Sequence, residues 1–171
     1  MNHGGGSNAT RLRGTRAAAR RPAMPLAGWL MLCLGGGALV GLEFPPGGWR
    51  DELIRPAWSL ADAWIAPICA ALYTLIGVAA WRIDRRPVVQ RAYALRLFLV
   101  QLALNFAWVA ILMGANALGP ALAVVTVLWL AIVATVVAFA HLDRLAAFLV
   151  APYLLWITYA AAQNYAVWTL N

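Results

Sequence analysis

Two stripes of indole, phenol and carboxamide side chains lie inside stretches that are otherwise oily. In the segment from Phe148 to Trp168, Tyr153, Trp156, Ala160 and Asn164 recur at three- and four-residue spacing, with Gln163 beside them. On a helix that spacing places them on one face. In a second segment, Gln101, Asn105 and Trp108 repeat the arrangement at i, i+4 and i+7. A carboxamide facing hydrocarbon without a partner is costly, so both stripes must look onto protein or into a hollow. Indole and phenol faces stack on flat apolar rings, while amides and the Trp N–H hydrogen-bond polar edges. A pocket built this way suits a large planar amphiphile that partitions into membranes. The spacing equally fits helix–helix glue combined with an interfacial aromatic belt, and by itself does not decide between the two.

Other chemistries lack their residues. From Leu97 to Leu142 there is no Asp, Glu, Lys or Arg, and the last apolar segment has none either. Ion-coupled pumps keep ionisable groups inside the membrane, so this is not the pattern of one. No phosphate-binding loop, dinucleotide fingerprint, Ser/His/Asp set or metal cluster is present, so no catalytic residue and no metal ligand is assigned, and no cofactor is required. His141 beside Asp143 reads as a hydrogen-bonded surface pair. Cys33 and Cys69 sit in apolar segments without metal-ligand spacing and read as small buried hydrophobes.

The elements that must position the stripes are membrane spans. The 171 residues are 64% hydrophobic and 11% charged, with a mean hydropathy of +0.75. A soluble domain cannot cover so much apolar surface, which makes this an integral membrane protein. Five apolar stretches are long enough to cross a bilayer, at about residues 27–44, 63–81, 93–114, 120–140 and 148–168. They form one five-helix transmembrane domain over 26–171, preceded by a disordered arginine-rich arm over 1–25. The arm is transit-peptide-like in composition, and Arg20-Arg21 is weakly twin-arginine-like, but a retained cytoplasmic arm is the preferred reading.

Between the first two spans, Pro45-Pro46-Gly47-Gly48 breaks the helix. Trp49 to Ile54 then fits a short helix, and Arg55-Pro56-Ala57-Trp58 stops it. Ser59 to Asp62 resembles a capping box for the second span. Gly37-x-x-x-Gly41 in the first span would allow close helix approach. This tryptophan-bearing loop is either an interfacial anchor or a lid.

The positive charge is entirely arginine. Arg11, Arg13, Arg16, Arg20 and Arg21 of the arm, Arg82, Arg85, Arg86, Arg91, Arg96 and Arg144 fall on one side, leaving Arg50 and Arg55 on the other. The positive-inside rule then makes the amino terminus cytoplasmic and puts the lid loop and carboxyl terminus outside. Arginines at segment ends are topology and membrane-surface charge, so no nucleic-acid partner is expected.

Trp49…Leu53-x-Arg55-Pro56-x-Trp58, Leu72-Tyr73, Gln101-Leu102-x-Leu104-Asn105-x-x-Trp108 and Pro152-Tyr153-Leu154-x-Trp156…Asn164-Tyr165-x-x-Trp168-x-x-Asn171 together resemble the tryptophan-rich sensory protein/translocator protein family, once called peripheral benzodiazepine receptors. The resemblance runs in order over about residues 27–171. It implies an all-α, five-transmembrane-helix bundle, often a homodimer, with a short helical lid in the first loop over a cavity. It also implies porphyrin or haem as ligand, in some members a sterol such as cholesterol, and roles in regulation, transport or stress response. On this resemblance Trp49, Arg55, Pro56 and Trp58 match the lid. Tyr73, Gln101, Asn105, Trp108, Tyr153, Trp156 and Asn164 match positions lining or bordering the pocket, and Ala160 matches a small position on the last helix.

Three departures bear on function. Leu60-Ala61 replaces the family's prolines after Trp58, which loosens the lid. Cys69 falls where the family usually carries a tryptophan that pairs with the one matched by Trp156 in porphyrin breakdown, which argues against an enzyme. No basic residue follows Tyr165, so the sterol-type pattern is incomplete. The expectation is a multi-pass receptor or sensor of the bacterial cell membrane that binds porphyrin-type tetrapyrroles. A tetrapyrrole or sterol transport facilitator, a photo-oxidative porphyrin-degrading enzyme and a structural membrane partner are the alternatives.

Overall fold

The computed structural model describes residues 23–45 and 48–171; the arginine-rich arm lies outside the described residues. Among the described residues, six helices account for most of the chain. Five are long and apolar enough to cross a membrane: α1 (Leu26–Glu43), α3 (Asp62–Asp84), α4 (Arg91–Gly114), α5 (Leu118–Leu142) and α6 (Arg144–Leu170). Between α1 and α3 lies α2, a single turn over Trp49–Glu52. The described residues contain no strand, and the protein is a multi-pass all-α membrane protein.

The helix ends follow from local chemistry. Asp143 leaves the helical conformation between α5 and α6, and its Oδ1 accepts the Leu145 N–H at 3.0 Å and the Ala146 N–H at 3.3 Å. A carboxylate there satisfies amides that have no partner inside the helix and suits the positive end of the helix dipole. For this reason α6 starts at Arg144, earlier than the apolar pattern near 148 indicates. The capping box read at Ser59 to Asp62 does not form. The Ser59 hydroxyl has no partner, and the Asp62 carboxylate pairs with Arg55 at 3.1 Å. Asp143 likewise takes Arg82 and Arg86 as partners, not His141, which is exposed.

Contacts between spans order the bundle as α1, α3, α6, α5, α4 and back to α1. At the end where α3 meets α4 and α5 meets α6, the interior is full. Ile83, Phe98, Phe139 and Ala146 are completely buried there, with Trp29 nearly so, and Phe98 contacts both Trp29 and Phe139 ring to ring. Two buried carboxylates tie this end together. Asp84 accepts the Met24 N–H at 2.6 Å and the Trp29 Nε1–H at 3.2 Å, fixing α1 to α3. Asp143 accepts from Arg82 Nε at 3.1 Å and Arg86 Nη2 at 2.6 Å, fixing the α5–α6 junction to the end of α3.

The opposite end is looser. The outer part of α1, Gly36–Glu43, has no buried residue, and wider π-type turns occur at Met31–Gly35 and Ala110–Gly114. A Cβ on Gly37 would collide with the Tyr73 ring, and one on Gly36 would come within 2.7 Å of Phe106. The glycine run therefore admits rings from α3 and α4. A Cβ on Gly41 would meet nothing within 4 Å, so the Gly37–Gly41 pair makes no helix–helix seam with the described residues of its own chain.

Candidate functional site

The loose end encloses a cavity of about 750 Å³. Its walls come from the outer part of α1, the loop carrying α2, and the facing sides of α3, α4 and α6. Of the residues singled out from sequence, Trp49, Arg55, Tyr73, Trp108, Trp156, Ala160 and Asn164 line it. A smaller chamber of about 50 Å³ is lined by Cys69, Leu72, Tyr73, Asn105, Trp108, Val109, Tyr153 and Trp156. Cys69, Tyr73, Trp108, Val109 and Trp156 are common to both spaces. Apart from Gln101, the two stripes thus meet on one hollow. Their periodicity turns the two asparagines inward, where Asn105 and Asn164 are buried.

A hydrogen-bonded frame sets the polar side chains. Asn105 Nδ2 donates to the Tyr73 hydroxyl at 2.6 Å, joining α4 to α3. Trp108 Nε1 donates to Asn164 Oδ1 at 3.3 Å, and Asn164 Nδ2 donates to the Leu118 carbonyl at 3.0 Å, joining α4, α6 and the start of α5. Of the residues lining the two spaces, two have buried donors without a partner: the Tyr153 hydroxyl and the Trp49 Nε1–H. Tyr153 lines the inner chamber and Trp49 the roof of the main cavity. An unpaired buried donor costs roughly 1–3 kcal/mol of desolvation.

Two expected site residues do not line either space. Gln101 is completely buried and both polar atoms of its amide lack partners; it lies one turn from Asn105, beyond the chamber wall. Trp58 is 52% exposed and packs edge-on against the Tyr159 ring at 5.8 Å, so it does not roof the cavity from within. Tyr159 is the residue that sequence reasoning left out. It lines the cavity, stacks obliquely on Trp156 at 5.5 Å, and its hydroxyl accepts the Leu60 N–H at 2.7 Å. Its position three residues after Trp156 was the available signal. Gln163 lines the cavity too.

The mouth carries the charges. Arg55 lies across it with Nη1 at 3.1 Å from Asp62 and Nη2 at 3.3 Å from Asp51. Among the described residues no group of three or more His, Cys, Asp or Glu is arranged to hold a metal ion. The arrangement can bind and orient a large apolar guest with polar edges.

Comparison with known proteins agrees with this architecture. Residues 23–169 match the sequence profile of the TspO/MBR family. The chain is 34% identical over 146 residues to protein CrtK of Rhodobacter capsulatus, covering 84% of this chain and 90% of that one. It is 36% identical over 138 residues to the tryptophan-rich sensory protein of Cereibacter sphaeroides, covering 80% and 85%. Against the translocator protein of Sus scrofa the identity is 33% over 155 residues, covering 88% and 92%. With five spans, a tryptophan-bearing lid and a profile match over nearly its whole described length, the chain belongs to the TspO/MBR family of membrane proteins.

Proposed function

We propose that the protein is a membrane receptor or sensor that takes a porphyrin-type tetrapyrrole, haem or protoporphyrin, into the cavity beneath the lid. One observation carries the reading: an apolar-walled hollow of about 750 Å³ flanked by buried, unpartnered donors at Trp49 and Tyr153. That volume falls within the roughly 300–1,000 Å³ of small-molecule sites. Trp108 and Trp156 supply ring faces, Asn105 and Asn164 supply edges, and Arg55 stands at the mouth, where a ligand carboxylate would compete with Asp51 and Asp62. Arginine crowding at the opposite end orients the lid and carboxyl terminus outward and the amino terminus toward the cytoplasm.

The test is a protoporphyrin IX titration of the detergent-purified protein, followed by tryptophan quenching. Affinity in the micromolar range is expected, equivalent to about −8 kcal/mol. Trp156→Ala and Asn105→Ala should each weaken it about tenfold, because the first removes a stacking face and the second releases Tyr73. If both variants bind like the parent, the site is misassigned. The translocator name of some relatives favours a facilitator as second reading. Protein-dependent porphyrin flux between vesicles distinguishes it from a receptor, which binds saturably without transfer.

A further inference from the structure

We propose that Asn171 is a positioning residue for this site: its carboxamide clasps the lid onto the end of α6 and so sets how long a guest stays in the cavity. The inference rests on the reading of that cavity as a ligand site. The lid belongs to the connection between α1 and α3, yet hydrogen bonds at both ends of its residues 54–60 run to α6. At one end, the Ile54 N–H donates to Asn171 Oδ1 at 3.0 Å and Asn171 Nδ2 donates back to the Ile54 carbonyl at 3.2 Å. At the other, the Leu60 N–H donates to the Tyr159 hydroxyl at 2.7 Å. A side-chain amide that both gives to and takes from one backbone residue imitates the pairing of an adjacent strand. A carboxylate lacks the donor and an aliphatic side chain lacks both groups. The same Nδ2 also donates to the Val167 carbonyl at 2.8 Å, so the amide is braced against the last turn of α6 before it meets the lid.

The clasp bears on function through Arg55. This residue follows Ile54 directly and lines the cavity with Leu53 and Leu60. Fixing the Ile54 backbone in both directions fixes where the guanidinium crosses the mouth. Leu60 and Ala61 leave residues 59–61 without a proline's fixed backbone, so the side-chain clasps supply rigidity that the local sequence does not.

Hydrogen exchange of the full chain in detergent micelles, read by mass spectrometry for the parent and Asn171→Ala, tests the clasp without any ligand. Amides of the lid peptide covering 53–61 should exchange about tenfold faster in the variant, the loss expected for a pair of partly exposed hydrogen bonds, with α3 and α4 unchanged. Protoporphyrin IX release by stopped-flow should accelerate by a similar factor. Faster exchange in the last turn of α6 with unchanged lid exchange overturns the proposal, since Asn171 would then only cap its own helix. A faster-exchanging lid in a protein that binds no porphyrin, in parent or variant, leaves the clasp standing and removes the porphyrin reading instead.

Discussion

Tyr153 is the residue at which the proposed site is tested most directly. Its hydroxyl is buried at the inner chamber and unpartnered, whereas its neighbour Tyr73 accepts from Asn105. An unsatisfied buried hydroxyl destabilises the empty protein and strengthens the filled one. Tyr153→Phe is therefore expected to raise the stability of the ligand-free protein by about 1 kcal/mol while weakening protoporphyrin IX binding. Thermal unfolding and titration of the same preparation check both halves, and unchanged affinity means that the guest does not reach Tyr153. Asn105, Trp156 and Asn164 were legible in the sequence because an amide or indole inside an oily run stands out. Tyr159 was not, and Asn171 stood out only as the last member of the family motif, with no sign of what it touches. One resembles an interfacial aromatic and the other a polar residue past a helix end, and their lid partners are distant in the chain. Gln101 stood out for the same reason as Asn105, yet one helical turn of displacement puts it in the packed interior.

The helices were readable as lengths of hydropathy, but their ends were set by partners elsewhere. Asp143 is the clearest case. Burial raises its pKa, but the hydrogen bonds from Arg86 and the Ala146 N–H and the charges of Arg82 and Arg86 outweigh this and hold the carboxyl below its ordinary 3.8. A carboxyl lowered on folding stabilises the fold at every pH above its ordinary value, and that contribution drains away as pH falls below 3.8 through the folded value. Asp143→Asn keeps a good cap and removes the charge, so it isolates the ion pairs. Because both arginines stay partly hydrated, a loss of about 1–3 kcal/mol is expected at neutral pH. Asp143→Ala should cost about 1 kcal/mol more through the cap. Circular dichroism melts in micelles at neutral pH and near pH 3 are the check: the parent should approach the Asn variant in acid. An undiminished gap there means that the arginines do not depend on the ionised carboxylate. The same reasoning explains the misread box at Ser59 to Asp62. Its acidic member had a stronger cationic partner in Arg55, which local spacing cannot reveal.

At the scale of the whole molecule, the fold divides into a closed end and an open end. Five spans and a lid were legible from hydropathy, punctuation and motif order. The circular order of the spans and the size of the hollow were not, because both depend on contacts far apart in sequence. The division is physical. Asp84 and Asp143 pin the arginine-rich end where rings and aliphatic side chains fill the core, whereas α1 beyond Gly36 buries nothing and α4 finishes in a wide turn. Local opening free energy follows buried contact, so α1 should carry a stability gradient along its own length. In lipid nanodiscs, amides of 37–44 are expected to exchange about tenfold or more faster than those of 27–34, although both halves are helical and apolar. Protoporphyrin IX should slow the outer half selectively, because a guest touching Gly37, Val40 and Phe44, which line the cavity, replaces the packing that the empty protein lacks. Equal protection along α1 would mean that the hollow is not where the bundle is soft. Protection of the inner half by porphyrin would place the guest elsewhere, and the division between a rigid base and a ligand-completed top would have to be abandoned.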